Sequence, residues 1–182
     1  GKLRPRLRYQ SIALPALTEL YMLTHDGKHF RIKRKWLNRM NELSLAIRWL
    51  DDGSITSNLR KGVICTDGFD EQSVKLLARY LQVVWGIKTS VGSVTKTYNG
   101  HTKQVWRIWI RSTQELLKLL RLVAPHVHQK GMLYKVLVLY KDPKLQQRWI
   151  SELAKLTGFS EADITSVMEN RKLKLKAFQK KI

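Results

Sequence analysis

The chain has 182 residues, 43% hydrophobic and 26% charged, with 34 Lys+Arg against 14 Asp+Glu and a formal net charge of +20. That length and apolar share suffice for one or two modest cores and exclude collagen-like or broadly disordered classes. The charge points to a polyanionic partner rather than a small-molecule enzyme with a neutral surface. A single cysteine, Cys65, excludes an internal disulfide framework and a cysteine-based structural zinc site. With no run of roughly 18 apolar residues and no opening signal segment, an intracellular protein (cytoplasm, nucleoid or organelle matrix) with no membrane partner is expected.

The stretch from Lys2 to Gln10 alternates basic and apolar residues, as a strand with Arg4, Arg6 and Arg8 on one face would. Apolar residues from Leu14 to Thr24 have helical spacing, and Asp26-Gly27 marks a turn. Asn41 to Leu50 reads as a helix ending in Asp51-Asp52-Gly53, with Gly53 expected as a left-handed cap. Two carboxylates at a helix C-terminus oppose the macrodipole, a cost that a bound cation would relieve. Ile55, Leu59, Val63 and Cys65 then suggest a strand pair over residues 55–66.

Glu71 to Trp85 carries Val74, Leu77, Ala78, Leu81 and Val84 at three- and four-residue spacing, the mark of an amphipathic helix, closed by Gly86. Lys88 to Tyr98 and Lys103 to Arg111 form a hairpin through Asn99-Gly100. Its second strand puts Trp106, Ile108 and Ile110 on one face and Lys103, Arg107 and Arg111 on the other. Thr113 to Val123 is a further helix, stopped near Pro125. The result is an α+β fold, an αββαββα unit whose antiparallel sheet has one apolar and one cationic face. No acid lies between Glu71 and Glu115, which favours a nucleic-acid saddle over a merely solvated face.

Lys141-Asp142-Pro143-Lys144 reads as a linker, and residues 146–168 as two short helices. Ala154, Gly158, Ile164 and Val167 have the A-x3-G-x5-I-x2-V spacing of a helix-turn-helix, and six Lys/Arg occupy the last twelve positions. A DNA-contacting role is expected for this part, set against a helical cap on the main unit.

The run Leu45-Ala-Ile-Arg-Trp-Leu-Asp-Asp-Gly53 resembles the signature of LAGLIDADG homing endonucleases in the divergent W-x-D-D-G form of intron-encoded members. Leu20-Tyr21, Gly27-Lys28 and Trp36-Leu37 upstream agree with the family in order. So do Gly62-Val-Ile-Cys-Thr66, Leu76-Leu77 and Gly131-Met-Leu-Tyr-Lys135 downstream, so the resemblance covers Leu3 to Tyr140. It implies a sheet saddle gripping double-stranded DNA, with paired motif helices delivering carboxylates to Mg²⁺ or Mn²⁺ beside a scissile phosphate. By the same resemblance Asp52 binds metal and is catalytic, and Asp51 belongs to the metal site too, capping the helix or orienting a water beyond the metal's direct ligands. Lys135 is a basic active-site residue, and Lys28 its equivalent from the preceding half, where His29 replaces a frequent second lysine.

Base and phosphate contacts are expected from Asn58, Arg60, Thr66, Lys96, Lys103, Arg107 and Arg111, with Arg4, Arg6 and Arg8 as a corresponding strand. Arg48 departs from the apolar residue usual in the motif helix and calls for an acid or phosphate partner. Only one motif is visible, so residues 1–42 read as the end of a preceding half, 43–140 as the LAGLIDADG core and 146–182 as a helical, basic tail. The second motif would come from a first half absent from this chain or separate from it, or from a homodimer with a near-palindromic site. The function expected is site-specific, metal-dependent DNA cleavage. The alternative is an intron-RNA-binding maturase or a cleavage-inactive DNA-binding protein of the same fold.

Overall fold

The computed structural model describes residues 10–56 and 59–179. The expected strand carrying Arg4, Arg6 and Arg8, and the expected contact Asn58, lie outside the described residues. The described chain begins with helix α1 (Pro15–Thr24) and a small hairpin of β1 (His25–Asp26) and β2 (His29–Phe30), turned at Gly27 with φ 58°. The short helix α2 (Arg34–Leu37) follows. α1 has the helical spacing its sequence predicts, yet buries only Leu23, leaving Leu17, Leu20 and Met22 exposed. A row of rings, Tyr21, His25, Phe30 and Phe69 with Trp36 alongside, ties the hairpin to the rest. The Ile32 amide also donates to the buried Ser73 hydroxyl at 3.1 Å.

The central unit follows the expected order: α3 (Glu42–Asp52), β3 (Gly53–Ile55), β4 (Gly62–Cys65), α4 (Glu71–Trp85), β5 (Ser90–Tyr98), β6 (His101–Ile110) and α5 (Thr113–Val123). Local chemistry explains the boundaries. Asn41 caps α3 by accepting from the Ser44 amide at 2.9 Å, and Asp70 caps α4 through the Ser73 amide at 2.9 Å. Gly86 ends α4 with φ 65°. Asn99 and Gly100 both have positive φ, 48° and 78°, the turn whose twist matches the strands it joins. Leu59 is not a strand residue as its spacing suggested; it sits at φ 60° in the β3–β4 connection.

The sheet runs β3-β4-β6-β5, antiparallel throughout. Ile64, Ile108 and Ile110 are buried in one cluster with Leu77 and Leu81 of α4 and Leu116 and Leu120 of α5. Each such side chain contributes about 1.5–3 kcal/mol by leaving water. The opposite face carries Lys103, Arg107 and Trp109 of β6, paired in register with Lys96, Gly92 and Ser90 of β5.

Two 3₁₀ turns, Ala124–His126 and Lys130–Lys135, lead into a buried irregular strap over residues 136–139. The residues expected as a linker instead start α6 (Pro143–Thr157). Asp142 is its N-cap, accepting from the Lys144 and Leu145 amides, and Pro143 sits where no amide donor is needed. Gly158, at φ 76°, turns the chain into α7 (Glu161–Gln179), which is far longer than the short helix expected. Trp149, Ile150, Leu153, Ile164 and Met168 join the same buried cluster as the sheet. The helical-cap expectation therefore describes their packing.

Candidate nucleic-acid interface and catalytic centre

The motif helix α3 divides its surface by period. Leu45, Ala46 and Trp49 are buried, whereas Leu43, Ile47 and Asp51 form an exposed stripe one turn apart. Gly53 does not adopt the left-handed cap predicted for it; its backbone is extended, at φ −78° and ψ 150°. Glycine is required there for another reason. A Cβ would lie 2.4 Å from the Trp49 ring and the Trp49 carbonyl, so the ring packs directly on the backbone of residue 53.

The carboxylates at the end of α3 have cations close by. Arg48 Nη1 donates to Asp52 Oδ2 at 2.5 Å and its Nη2 to the Cys65 carbonyl at 3.0 Å, while the guanidinium lies over the Phe69 ring. Lys135 Nζ donates to the Gly53 carbonyl at 2.6 Å and to that of Asp51 at 3.4 Å. The cost of two acids at a helix C-terminus is thus offset by cations of the protein itself, where the sequence suggested a bound ion. Asp51 remains exposed, and Asp52 keeps an oxygen, Oδ1, that Arg48 does not occupy.

Lys135 reaches this point because the strap is tightly held. The Trp49 indole donates to the Lys135 carbonyl at 2.9 Å and the Trp149 indole to that of Val136 at 3.2 Å. Gln146 donates to the Val138 carbonyl, and Arg171 Nη1 to the carbonyls of Tyr134 and Leu137 at 2.7 and 2.8 Å. Buried irregular backbone must find partners outside regular structure; here side chains of α3, α6 and α7 supply them. Desolvation lowers the pKa of Arg171 from its usual value. Among the described residues no carboxylate pairs with it.

On the cationic sheet face the expected contacts separate. Thr66 is a correction: it is buried, and its hydroxyl donates to the Trp106 carbonyl at 2.5 Å, satisfying core backbone rather than facing a ligand. Arg107 and Lys96 both bind Asp67, Arg107 through Nε at 2.8 Å and Nη2 at 2.9 Å. The hydrogen bond from Arg107, first among several causes, lowers the Asp67 pKa to about 2. Lys96 and Lys103 stand directly opposite each other, and Asp67 relieves that repulsion. Arg111 lies beside Trp109 and donates to the Ser90 hydroxyl at 3.0 Å. Lys103 is exposed on the same face, and Arg60 lies in the β3–β4 connection. Lys28 is exposed on the N-terminal turn and makes no hydrogen bond or ion pair with Asp51, Asp52 or Lys135 among the described residues.

Mg²⁺ and Mn²⁺ prefer hard oxygen donors, and Mg²⁺ commonly takes one or two carboxylates together with substrate phosphates. Asp51 and Asp52 are carboxylates of that chemistry and line one cavity at the end of α3. Among the described residues no group of three or more His, Cys, Asp or Glu could hold a metal alone.

Residues 2–116 match the model of the LAGLIDADG DNA endonuclease family. The chain belongs to that family. A solved structure with similar fold is the homing endonuclease I-WcaI bound to its DNA recognition sequence, at 23% identity and a TM-score of 0.54. The similarity covers 69% of this chain and 54% of that one, so the chain spans about half the length of the neighbour. No curated protein matches the chain. Within this LAGLIDADG fold the motif helix lies where the sequence placed it, and the structure sets the Lys135 ammonium on the Gly53 and Asp51 carbonyls at its end. The i,i+4 spacing was an available signal for the Arg48–Asp52 pair. Asp67 and Arg171 had no such local signal, since each acts on residues 29 or more positions away.

Proposed function

We propose that this LAGLIDADG chain is a DNA-cleaving unit that grips double-stranded DNA on the cationic sheet face and cuts it with divalent-metal assistance at the end of α3. The observation that carries this reading is the exposed stripe of Leu43, Ile47 and Asp51, which leads directly to the acids and to Lys135. Apolar residues on the motif helix, and on α1, call for a covering surface. A second motif helix meets that need, either from a second copy of this chain or from another LAGLIDADG half.

Asp52 and Asp51 would hold Mg²⁺ or Mn²⁺, whose chemistry when bound would be charge stabilisation and activation of water. The chain's own residues have distinct tasks. Arg48 fixes one oxygen of Asp52 and directs the other outward. Lys135 holds the last turn of α3 and places positive charge near the phosphate, where developing negative charge is stabilised. Lys103, Arg111 and Arg60 anchor the DNA backbone, while Lys28 serves the facing half. We assign α6 and α7 a supporting role, holding the strap that carries Lys135.

The test is cleavage of a randomised-duplex library with and without Mg²⁺ by wild type and Asp52→Asn, with the mass of the protein–DNA particle measured in parallel. Discrete Mg²⁺-dependent cuts by wild type alone, from a particle holding two motif helices, support the reading. A second reading, a cleavage-inactive binder of DNA or intron RNA, is favoured by the Arg48–Asp52 ion pair, which neutralises the acid a metal needs. Tight binding without cuts, unchanged in Asp52→Asn, supports that one.

A further inference from the structure

Among the cations of the sheet face, Arg107 is held in a fixed plane. A guanidinium has two edges able to make paired hydrogen bonds: a side edge of Nε and Nη2, and an end edge of Nη1 and Nη2. Asp67 takes the side edge, with Nε on Oδ1 at 2.8 Å and Nη2 on Oδ2 at 2.9 Å. The end edge remains, and its parallel N–H groups match the O6 and N7 acceptors that guanine displays in the major groove.

The residues across the ladder from Arg107 are small, the Trp109 ring packs over one of them, Gly92, and the Arg107 side chain keeps 18% of its surface exposed. Across the ladder it pairs with Gly92 on one side and Cys65 on the other, two small residues in register on the same face. No β5 side chain therefore stands opposite the guanidinium. Lys96 shares the Asp67 carboxylate and compensates its charge. Arg111 is held differently, by one hydroxyl and a ring, and a lysine such as Lys103 is a point charge without a plane.

We propose that Arg107 reads one guanine of the DNA site through its end edge, and that Asp67 is the positioning residue that orients it. The inference rests on the proposed DNA-cleaving function and names part of its sequence specificity. A bidentate arginine–guanine pair discriminates against other bases by roughly 5- to 150-fold.

The test is selection of bound duplexes from a randomised library by the full chain as wild type, Arg107→Ala, Arg107→Lys and Asp67→Asn. The wild type is expected to enrich guanine at a position that both Arg107 variants lose while keeping the rest of the site, and that Asp67→Asn weakens. A second measurement leaves the protein unaltered. Replacing that guanine by 7-deazaguanine, which lacks the N7 acceptor, is expected to weaken wild-type binding at least about 5-fold and leave Arg107→Ala indifferent. A site whose every position survives in Arg107→Ala, or a uniform loss across all positions, overturns the inference alone. If wild type enriches no sequence at all, the site-specific reading of the protein fails with it.

Discussion

Arg171→Met tests the claim that α7 supports the candidate catalytic centre. Methionine keeps most of the aliphatic stem but removes the donors that reach the Tyr134 and Leu137 carbonyls at 2.7 and 2.8 Å. Leu137 is fully buried, and an orphaned buried acceptor costs about 1–3 kcal/mol. Relief from burying a cation without an acidic partner returns part of this, so a net loss of about 2 kcal/mol is expected. Urea unfolding measures the loss. Amide hydrogen exchange shows where it acts: protection should fall over residues 133–139, including the Leu139 amide that donates to the Leu59 carbonyl at 3.2 Å, while β6 and α4 stay unchanged. A stability change within about 0.5 kcal/mol, the range typical of a surface substitution, together with unaltered exchange in the strap, would refute the argument.

The remaining predictions concern the sheet, the motif glycine and the candidate active-site lysine. Asp67→Asn is expected to destabilise the fold by about 1 kcal/mol at neutral pH, the depression to about 2 being discounted because roughly a quarter of the side chain meets solvent. Because the folded pKa lies below the unfolded one, the contribution is complete above the ordinary aspartate value of 3.8 and fades as pH falls towards about 2. Unfolding curves of wild type and variant should therefore converge across that window, and a constant gap would show that the ion pairs are not its source. Gly53→Ala is expected to cost about 1–3 kcal/mol, because its methyl group meets backbone as well as the Trp49 ring; a thermal melt equal to wild type would contradict that packing. Lys135→Met is expected to lower the rate of Mg²⁺-dependent cleavage while costing only about 0.3–1 kcal/mol of stability, so single-turnover kinetics at matched DNA occupancy should separate the two effects.

The sequence by itself determined the element order of the central α3–α5 unit, the ends of α4, the hairpin turn at Asn99-Gly100 and the location of the acidic motif. Those features depend on a period of 3.6 or 2, or on one capping or turn residue, and such signals are complete within a few positions. Tertiary structure decided which charges remain available. Arg107 and Lys96 lie in an acid-free stretch, but Asp67 stands just before it and folds onto the sheet face. Thr66 looked equally suited to DNA until β6 placed the Trp106 carbonyl within reach of its hydroxyl. Gly53 looked like a helix cap because glycine favours positive φ, yet the direct contact of Trp49 with its backbone is what requires it. Lys135 could be placed in the site by resemblance, whereas its hold on the end of α3 depends on Trp49, Trp149 and Arg171 satisfying one buried strap from three helices. Contacts between residues far apart in sequence follow from packing and strand register, which no local window contains.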